Sequence, residues 1–393
     1  MRNMAEEEEK IKEQQSSSVL VLLSTHNGEK YIREQLDSIL QQKGCRTTLL
    51  VRDDGSTDTT REILREYQQG AFGNQFYAVL EEENVGVVRS FFRLLCSAAD
   101  LCAAPGKYED IPLGRGELHG VQSGCSSQDI SFYREKKKKL AEENSVEGQK
   151  FDYYALADQD DIWLEDKLSA AVAMIREKER KAKRKKVAEG NTEKTAEAYE
   201  CLPCLYAGAV QPVDQRGRNI PAGIRYPKRR PSFGNALVEN ICPGCTCVMN
   251  RQLLLMAGGT AEAMETTVLS RVLLHDFWLY LLAGAFGNVI FDEQPHILYR
   301  QHGNNSVGMA STLLESYLRR VRNFRKNRGK LKGQAITFER LYGLQLREWD
   351  EEKAALLRDF SAGKRRLFLD RRLYRQRRSD SFIVKVLLLL GWL

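Results

Sequence analysis

Three short apolar runs, each followed by a polar loop, limit the fold of this chain more than any other feature. The first run, Val19 to Ser24, is β-branched and too short to be a buried helix. The next two are Thr47 to Val51 and Phe76 to Leu80, and the segments between the runs, Tyr31 to Leu40 and Thr59 to Tyr67, have apolar residues at helical spacing. Buried strands that alternate with helices are typical of a parallel sheet with right-handed crossovers. We therefore predict an α/β protein with a Rossmann-like, doubly wound, mostly parallel sheet.

Polar residues follow these strands at the ends where such a sheet binds its ligands. The first loop is Thr25 to Gly28, and the second is Arg52 to Asp58. A later apolar run, Phe151 to Leu156, ends in an acidic segment, Ala157 to Asp161. Because ligands of open α/β sheets bind beyond the carboxyl ends of the strands, the three polar segments are expected to line one site.

The acidic segment has carboxylates at Asp158, Asp160 and Asp161. These groups repel one another unless a cation neutralises them, and carboxylates two residues apart at a strand end can converge on a hard ion such as Mg²⁺ or Mn²⁺. The alternative is a solvated turn that caps a helix starting near Ile162.

Five motifs follow one another along the chain. They are Ser24-Thr25-His26-Asn27-Gly28, Asp53-Asp54-Gly55-Ser56-Thr57-Asp58, Ala157-Asp158-Gln159-Asp160-Asp161-Ile162-Trp163, His275-Asp276 and Tyr299-Arg300-Gln301-His302-Gly303-Asn304-Asn305. In this order and context they resemble the family 2 glycosyltransferases, and more narrowly their bacterial rhamnosyltransferase-like branch. The resemblance implies a GT-A fold and an enzyme that moves a sugar, with L-rhamnose as one candidate, from a nucleotide diphosphate donor to a surface polysaccharide or lipid-linked oligosaccharide.

The resemblance implies that the first two loops bind the nucleotide. Thr25 and Asn27 would contact the base and ribose, and a carboxylate at Asp53 or Asp54 would accept the N3–H of uracil or thymine, with Asp54 preferred. The expected donor is accordingly a dTDP- or UDP-sugar. His26 stands where the family usually has tyrosine, a change that alters base stacking but keeps the polar pair. The alternative for Asp54 is a helix cap.

The resemblance also implies a subsite for the diphosphate and a metal. A Mg²⁺ or Mn²⁺ ion would bridge the diphosphate and stabilise charge on the departing nucleotide. An imidazole in the last motif suits Mn²⁺, and arginine neutralises phosphate. The residues assigned to the nucleotide-sugar are Asn84, Arg89 and Arg300, and those assigned to the metal are Asp158, Asp160 and His302.

Asp276 matches the position that supplies the catalytic base in the family. An inverting transfer needs one carboxylate to take the hydroxyl proton of the acceptor, and desolvation at an apolar helix start raises the pKa of such a base. The alternative is an N-cap for a helix over residues 277–285. The motif Gly244-Cys245-Thr246 also matches the branch, in the wall expected to face the sugar and acceptor.

Charge and composition divide the chain into three parts. Residues 1–17 are predicted to be a disordered acidic leader without the apolar core of a signal peptide. Residues 18–310 are predicted to be the GT-A domain, with insertions at about 101–150 and 176–200. Residues 311–393 have 21 Lys and Arg against nine Asp and Glu, a net charge of +12 in a chain of net charge +7. They are predicted to form a basic helical C-terminal region.

The end of this region has the pattern of a membrane-surface anchor. Five arginines between Arg371 and Arg378 precede an apolar run, Phe382 to Leu393, that is shorter than the about 20 residues needed to span a bilayer. This pattern favours peripheral binding to an anionic membrane surface. Nine cysteines without a secretory signal indicate reduced thiols, and we expect a cytoplasmic location.

Three alternatives compete with this prediction. A nucleic-acid-binding protein is suggested by the basic run Arg319 to Arg328, but few aromatic residues are interleaved there, so nucleic acid is disfavoured. A nucleotidyltransferase that makes nucleotide-sugars would need a glycine-rich, basic phosphate loop after the first strand, which the sequence lacks. Two CxxC pairs, Cys201/Cys204 and Cys242/Cys245, lie farther apart than in common zinc ribbons, so buried thiols are favoured over zinc.

Overall fold

The computed structural model of the chain describes residues 17–102, 151–188, 202–220, 227–263, 269–301 and 329–392. In these residues eight strands form one mixed sheet, with apolar layers on both faces. Residues 1–16 of the predicted leader, residues 103–150 and 189–200 of the predicted insertions, and His302 lie outside the described residues.

The strands occur in the spatial order β3-β2-β1-β4-β7-β6-β8-β5. Their bounds are β1 Ser18–Thr25, β2 Arg46–Asp54, β3 Phe76–Glu81, β4 Tyr153–Ala157, β5 Ile162–Trp163, β6 Cys204–Val213, β7 Val248–Asn250 and β8 Asn288–Arg300.

Ten α-helices are described. They are α1 Ile32–Leu40, α2 Thr60–Gln69, α3 Val87–Cys102, α4 Lys167–Ala188, α5 Phe233–Ala236, α6 Arg251–Ala263, α7 His275–Phe286, α8 Lys330–Trp349, α9 Glu351–Ala362 and α10 Arg378–Leu389. Short 3₁₀ turns cover Gly244–Thr246 and Arg365–Phe368.

Strand β1 is buried on both faces, which explains its continuous apolar sequence. Leu20 and Leu22 belong to one core cluster, and Val21 and Leu23 belong to the cluster on the other face, because successive side chains of a strand point to opposite sides. Strand β1 pairs in parallel with β2 and with β4, and β2 pairs in parallel with β3. The predicted Rossmann-like parallel half of the sheet is confirmed.

The register of these strands aligns their carboxyl ends. Thr25 lies opposite Asp53 in the β1–β2 pair, and Asp54 lies opposite Glu81 in the β2–β3 pair. Leu23 lies opposite Ala157 in the β1–β4 pair, so the acidic segment leaves β4 at the same edge. The three polar segments therefore meet as the sequence predicted.

The second half of the sheet is more irregular. Strands β7 and β5 are antiparallel to their neighbours, whereas β6 and β8 pair in parallel with a register shift after Gly208. The helix expected near Ile162 begins only at Lys167, because Ile162 and Trp163 form β5 and pair with β8. The acidic segment is therefore held between two strands and does not cap a helix.

The predicted C-terminal helical region is confirmed, and it shares the core of the sheet. Phe338 in α8 packs edge-to-face against Trp278 in α7, with ring centroids 5.3 Å apart. The Asn235 side chain donates a 2.9 Å hydrogen bond to the Tyr374 carbonyl. Leu387 in α10 belongs to the same buried cluster. The division between residues 18–310 and 311–393 stays a prediction.

None of the described helices is both long enough and apolar enough to cross a bilayer.

Candidate active site

The loop after β1 is joined to the acidic segment by Gln159. Its Oε1 accepts hydrogen bonds from the Thr25 hydroxyl at 2.7 Å and from the His26 N–H at 2.8 Å. A side chain at Gly28 would place a Cβ only 2.7 Å from Thr25 Oγ1, so the turn requires glycine. His26 Nδ1 lies 3.0 Å from the Asp54 carbonyl oxygen. This network fixes the first two loops relative to the acidic segment.

Asn27 adopts a left-handed backbone conformation, with a φ of 50°. Its N–H donates to Ser56 Oγ at 2.9 Å, and its Oδ1 accepts from the Thr57 N–H at 2.8 Å. Asparagine tolerates this conformation better than most residues do. The side chain thus orders the loop after β2.

Asp53 and Asp54 are the last residues of β2, not loop residues, and both are buried. Asp53 accepts hydrogen bonds from the Ser56 N–H at 3.1 Å, from the Ser56 hydroxyl and from Arg61 Nε at 3.0 Å. These contacts hold the turn after the strand and the first turn of α2.

Asp54 connects β2 to the loop after β3. Its carboxylate accepts from the Gly86 N–H at 2.8 Å and the Val85 N–H at 3.1 Å, and it pairs with Arg52 at 2.6 Å. Gly55 has a φ of +74°, and a Cβ there would lie 2.8 Å from the Asn84 nitrogen. Both predicted base-binding carboxylates therefore have protein partners at this edge.

Of the three residues assigned to the diphosphate, only Arg89 has a charge without a partner among the described residues. It lies in the first turn of α3 and is half-buried, and its side chain forms no hydrogen bond or ion pair with a described residue. Asn84 is exposed at the start of the same loop, and its Oδ1 accepts the Gly86 N–H at 2.9 Å.

Arg300 is 2% exposed and bonds to protein atoms. Its Nε donates to the Asp160 carbonyl at 2.9 Å, its Nη1 donates to the Gln215 carbonyl at 2.8 Å, and its Nη2 pairs with Glu34. Its guanidinium carbon lies 4.7 Å from the centre of the Tyr31 ring. Arg300 therefore fastens the acidic segment to β8 and to α1.

The three acidic residues are placed differently. Asp158 is half-buried, and burial, then the charges of Asp160 and Asp276, raises its pKa to about 7. Asp161 is 1% exposed; its Oδ1 accepts the Arg300 N–H at 3.1 Å, and its Oδ2 has no hydrogen-bond partner in the described parts of the chain. Burial, then the charges of Asp158 and Asp160, raises the pKa of Asp161 well above its usual range.

Asp276 is the second residue of α7 and is buried. Its Oδ1 accepts the Phe277 N–H at 2.7 Å. Burial raises its pKa to about 6, although hydrogen bonds from Phe277, the Asn240 side chain and Gly244 act in the opposite direction. The residue before the helix is Leu274, which makes no side-chain cap, so Asp276 is not the N-cap.

The turn at Gly244–Thr246 closes the site beside Asp276. A Cβ at Gly244 would lie 2.9 Å from His275 Nε2 and 3.5 Å from Asp276 Oδ2, so the close approach requires glycine. His275 stacks on Phe91 with ring centroids 3.8 Å apart, and burial lowers its pKa to about 3. The imidazole is therefore neutral and holds the start of α7 in place.

Two residues that the sequence did not assign also belong to this cluster. Cys245 lies against Asp158 and Asp161; one ligand atom from each of the three lies within 4.8 Å of the others. Lys167 is 1% exposed, with Nζ 3.3 Å from the centre of the Trp163 ring, and burial lowers its pKa to about 7. The sequence did not single out Lys167, because its position beside the acidic segment depends on residues 162–163 forming β5, where a helix was expected.

This arrangement defines an α/β enzyme with an acidic site at the carboxyl edge of parallel strands and a buried carboxylate at the start of an apolar helix. Residues 20–95 match the family described as glycosyl transferase family 2. The match over residues 20–95 identifies a family 2 glycosyltransferase domain in the chain, which is a glycosyltransferase with an α/β fold.

Two curated proteins are similar to the chain. The dTDP-rhamnosyl transferase RfbG of Shigella flexneri is 25% identical over 305 residues, which cover 76% of this chain and 77% of that protein. The putative teichuronic acid biosynthesis glycosyltransferase TuaG of Bacillus subtilis (strain 168) is 34% identical over 68 residues, which cover 17% of this chain and 26% of that protein. Among solved structures, S. aureus TarS 1-349 is 15% identical with a TM-score of 0.41, over 95% of this chain and 92% of that one.

Proposed function

We propose that this glycosyltransferase moves a sugar from a dTDP- or UDP-linked donor to a hydroxyl of a surface polysaccharide or lipid-linked oligosaccharide, with inversion and with a divalent ion. We propose L-rhamnose as the sugar, since the relative in Shigella flexneri is named a dTDP-rhamnosyl transferase. The observation that carries the proposal is that Asp276, the proposed base, lies close enough to Asp158, a proposed metal ligand, for its charge to raise the pKa of Asp158. An acceptor-side base and a donor-side acidic group thus share one site.

Asp276 would act as the general base. With a pKa raised to about 6 by burial, its carboxylate is mostly ionised at neutral pH and still basic enough to accept a proton. In the transfer, the acceptor oxygen forms a bond to the anomeric carbon and the bond from that carbon to the diphosphate oxygen breaks. The hydroxyl proton passes to Asp276, and the nucleotide diphosphate leaves with the bonding electron pair. The hydrogen bonds from Phe277 and Gly244 keep the carboxylate oriented.

The acidic segment fits a divalent ion. Asp161 Oδ2 is buried without a hydrogen-bond partner among the described residues, and a ligand oxygen of Asp158 lies within 4.8 Å of an Asp161 oxygen. Asp158 and Asp160 are the proposed ligands, and His302 is proposed from sequence alone because it lies outside the described residues. A bound Mg²⁺ or Mn²⁺ would neutralise charge on the departing diphosphate.

Nucleotide binding is proposed for Thr25, Asn27, Asp53 and Asp54. An ionised carboxylate offers about four lone-pair sites, so Asp54 retains acceptor capacity beyond its contacts to Arg52, Val85 and Gly86. The protein contacts of these residues would hold the base pocket rigid, which reduces the entropy lost on binding.

Arg89, with Asn84 beside it, is the proposed contact to the diphosphate. Its guanidinium has no partner in the described residues, whereas Arg300 already bonds to Asp160, Gln215 and Glu34. Arg300 is therefore proposed to act through the acidic segment that it holds.

A membrane-surface location is proposed from the C-terminal region, together with a cytoplasmic location for the chain. The side chains of Arg371, Arg377 and Arg378 form no ion pair with a described residue, whereas Arg372 and Arg375 pair with Asp370 and Glu239. Phe382 and Ile383, on the first turns of α10, are 61% and 48% exposed. Cationic and apolar side chains together favour binding to an anionic lipid surface. A lipid-linked acceptor would be close to the enzyme at such a surface. We propose residues 18–310 as the catalytic part and 311–393 as the part that carries this surface.

A donor screen with the purified full chain tests the proposal. Release of nucleotide diphosphate is measured for dTDP-rhamnose and several UDP-sugars, with and without Mn²⁺ or Mg²⁺, and the anomeric configuration of the product is read by NMR. We expect one donor to give ion-dependent release and an inverted product, with little release by Asp276→Asn. Ion-independent release or a retained configuration would contradict the metal role or the inverting mechanism, respectively.

A further inference from the structure

We propose that Cys245 supplies a sulfur ligand to the divalent ion, so that Asp158, Asp161 and Cys245 form a mixed carboxylate–thiolate site. This inference rests on the proposed metal-dependent function and adds Asp161 and Cys245 to the ligands proposed there. The sequence assigned Asp158 and Asp160 to the ion and left Cys245 in the sugar-facing wall.

The geometry brings the three ligand atoms together from two segments of the chain. An oxygen from each carboxylate and the Cys245 sulfur all lie within 4.8 Å of one another. Bonds of about 2.3 Å to sulfur and about 2.1 Å to oxygen at tetrahedral angles place ligand atoms about 3.5 Å apart. A shift of at most about 1 Å would therefore close the site. Three protein ligands leave open positions for diphosphate oxygens.

Asp161 points to a ligand independently of this spacing. The side chain is 1% exposed, and its Oδ1 is fixed by the Arg300 N–H while its Oδ2 has no partner among the described residues. A buried carboxylate oxygen without a partner carries a desolvation cost that metal coordination would remove.

Lys167 adds positive charge beside this cluster when it is protonated, although burial lowers its pKa to about 7. The Lys167 Nζ has no hydrogen-bond partner in the described parts of the chain. Burial, then the charges of Asp161 and Asp158, raises the pKa of the Cys245 thiol well above its usual range, and the charge of Lys167 acts in the opposite direction. On binding, the thiol proton would be released to water, as it is when metals bind thiols generally.

A sulfur ligand changes which ion the enzyme prefers. Magnesium favours oxygen ligands in octahedral geometry, whereas thiolate ligands favour softer ions such as Zn²⁺. We therefore expect Cd²⁺ and Zn²⁺ to bind this site more tightly than Mg²⁺, with Mn²⁺ between them.

The test uses the full chain with dTDP and Cd²⁺ as the probe. Wild-type protein should give a thiolate-to-cadmium charge-transfer absorbance that saturates as the ion binds. Cys245→Ser should lose that band and bind Cd²⁺ at least about tenfold more weakly, while its Mg²⁺ affinity changes less. Cys242→Ser is the matched control, because Cys242 is equally buried in the same segment but is not part of the cluster. It should keep the band.

The outcomes separate this inference from the proposed function. Calorimetric binding of Mn²⁺ with no cadmium–thiolate band in the wild type, or a band that survives Cys245→Ser, would overturn the sulfur ligand and leave a metal-dependent enzyme. Absence of any ion binding, together with ion-independent transfer, would overturn the metal role itself. If Cys245→Ser does not fold, Cys245→Ala and the wild-type spectrum still decide the question.

Discussion

The backbone N–H of Arg300 donates a 3.1 Å hydrogen bond to Asp161 Oδ1. The Arg300 side chain also donates to the carbonyl oxygen of Asp160, so the last residue of β8 contacts two of the three acidic residues. Main-chain contacts of this kind position the acidic segment without using the carboxylates of Asp158 and Asp160. These hydrogen bonds therefore join β8 to the acidic segment that follows β4.

Arg300→Gln should lower both the stability and the affinity for divalent ions. Removing one member of a buried charged network typically costs about 3–5 kcal/mol, since it leaves polar partners unsatisfied. Thermal unfolding and Mn²⁺ calorimetry measure the two effects. Glu34→Gln is the control: Glu34 is half-exposed, so the loss should stay below about 1 kcal/mol. Normal stability and ion affinity with weakened nucleotide binding would instead indicate direct phosphate contact by Arg300.

Arg89→Gln should weaken donor binding without affecting the fold. A hydrogen bond to a charged group contributes about 1.5–3 kcal/mol, which corresponds to a loss of about tenfold or more in donor affinity. Because the Arg89 side chain has no partner among the described residues, the unfolding midpoint of the variant should equal that of the wild type. Arg33→Gln, on the exposed face of α1, is the control and should bind donor normally. Equal donor affinity in both variants would exclude Arg89 from the site.

Asp158→Ala and Asp160→Ala should each abolish transfer and weaken donor binding in the presence of the ion. Removal of either proposed ligand leaves diphosphate charge uncompensated. Steady-state release of nucleotide diphosphate and donor calorimetry with and without Mn²⁺ measure this. Undiminished ion-dependent turnover in both variants would refute the assignment.

The parallel half of the fold could be predicted because it depends on local pattern. The uninterrupted apolar run in β1 requires burial on both faces, and the loop after it then has to lie at the carboxyl edge. The second half could not be predicted in the same way. Ile162 and Trp163 are as compatible with a helix as with a strand, and only their pairing with β8 decides between them.

The sequence predicted which residues lie at this edge of the sheet better than it predicted what those residues contact. Asp54 and Arg300 stand at the expected edge, yet their charges are directed at protein partners. Sequence does not reveal whether a charge at a strand end faces a ligand or a neighbouring loop. Cys245 and Lys167 were missed because each reaches the acidic segment only through tertiary contacts.

Asp276→Asn should lower turnover by about 10²–10⁴-fold with little change in donor affinity, since general base catalysis contributes about that much. In the wild type, the rate should fall as the pH drops below about 6, where the buried carboxylate is protonated. Single-turnover rates and donor calorimetry across pH measure both effects. Loss of donor binding with a normal rate per bound donor would indicate a structural role.

The same substitution should stabilise the fold at alkaline pH. Folding raises the pKa of Asp276 from its ordinary value of 3.8 to about 6. Protonation of this carboxyl therefore stabilises the folded state fully below pH 3.8, and the stabilisation is lost as the pH rises through about 6. At pH values above about 6, replacement by asparagine removes the free-energy cost of burying the ionised carboxylate, up to about 3 kcal/mol at 1.36 kcal/mol per pKa unit. Denaturant unfolding at about pH 8 should show the gain, and unfolding at about pH 4 should show little. Equal stability changes at both pH values would contradict the pKa assignment.

Membrane-surface binding should depend on point changes at the C-terminal end of the chain. Because Leu387 and other α10 side chains are part of the core, deleting this helix would disturb the fold and could not isolate surface binding. Replacing Arg371, Arg377 and Arg378, which form no ion pair with a described residue, by glutamine should instead release the enzyme from anionic vesicles, since each basic residue near such a surface contributes about 1 kcal/mol. Phe382→Ser should weaken binding further, whereas Leu344→Ser, at an exposed apolar site on α8, should not. Sedimentation with anionic and neutral vesicles at low and high salt measures the bound fraction, and donor binding checks that the fold is intact. If the triple arginine variant pellets with anionic vesicles as the wild type does, these residues do not form the membrane-binding surface.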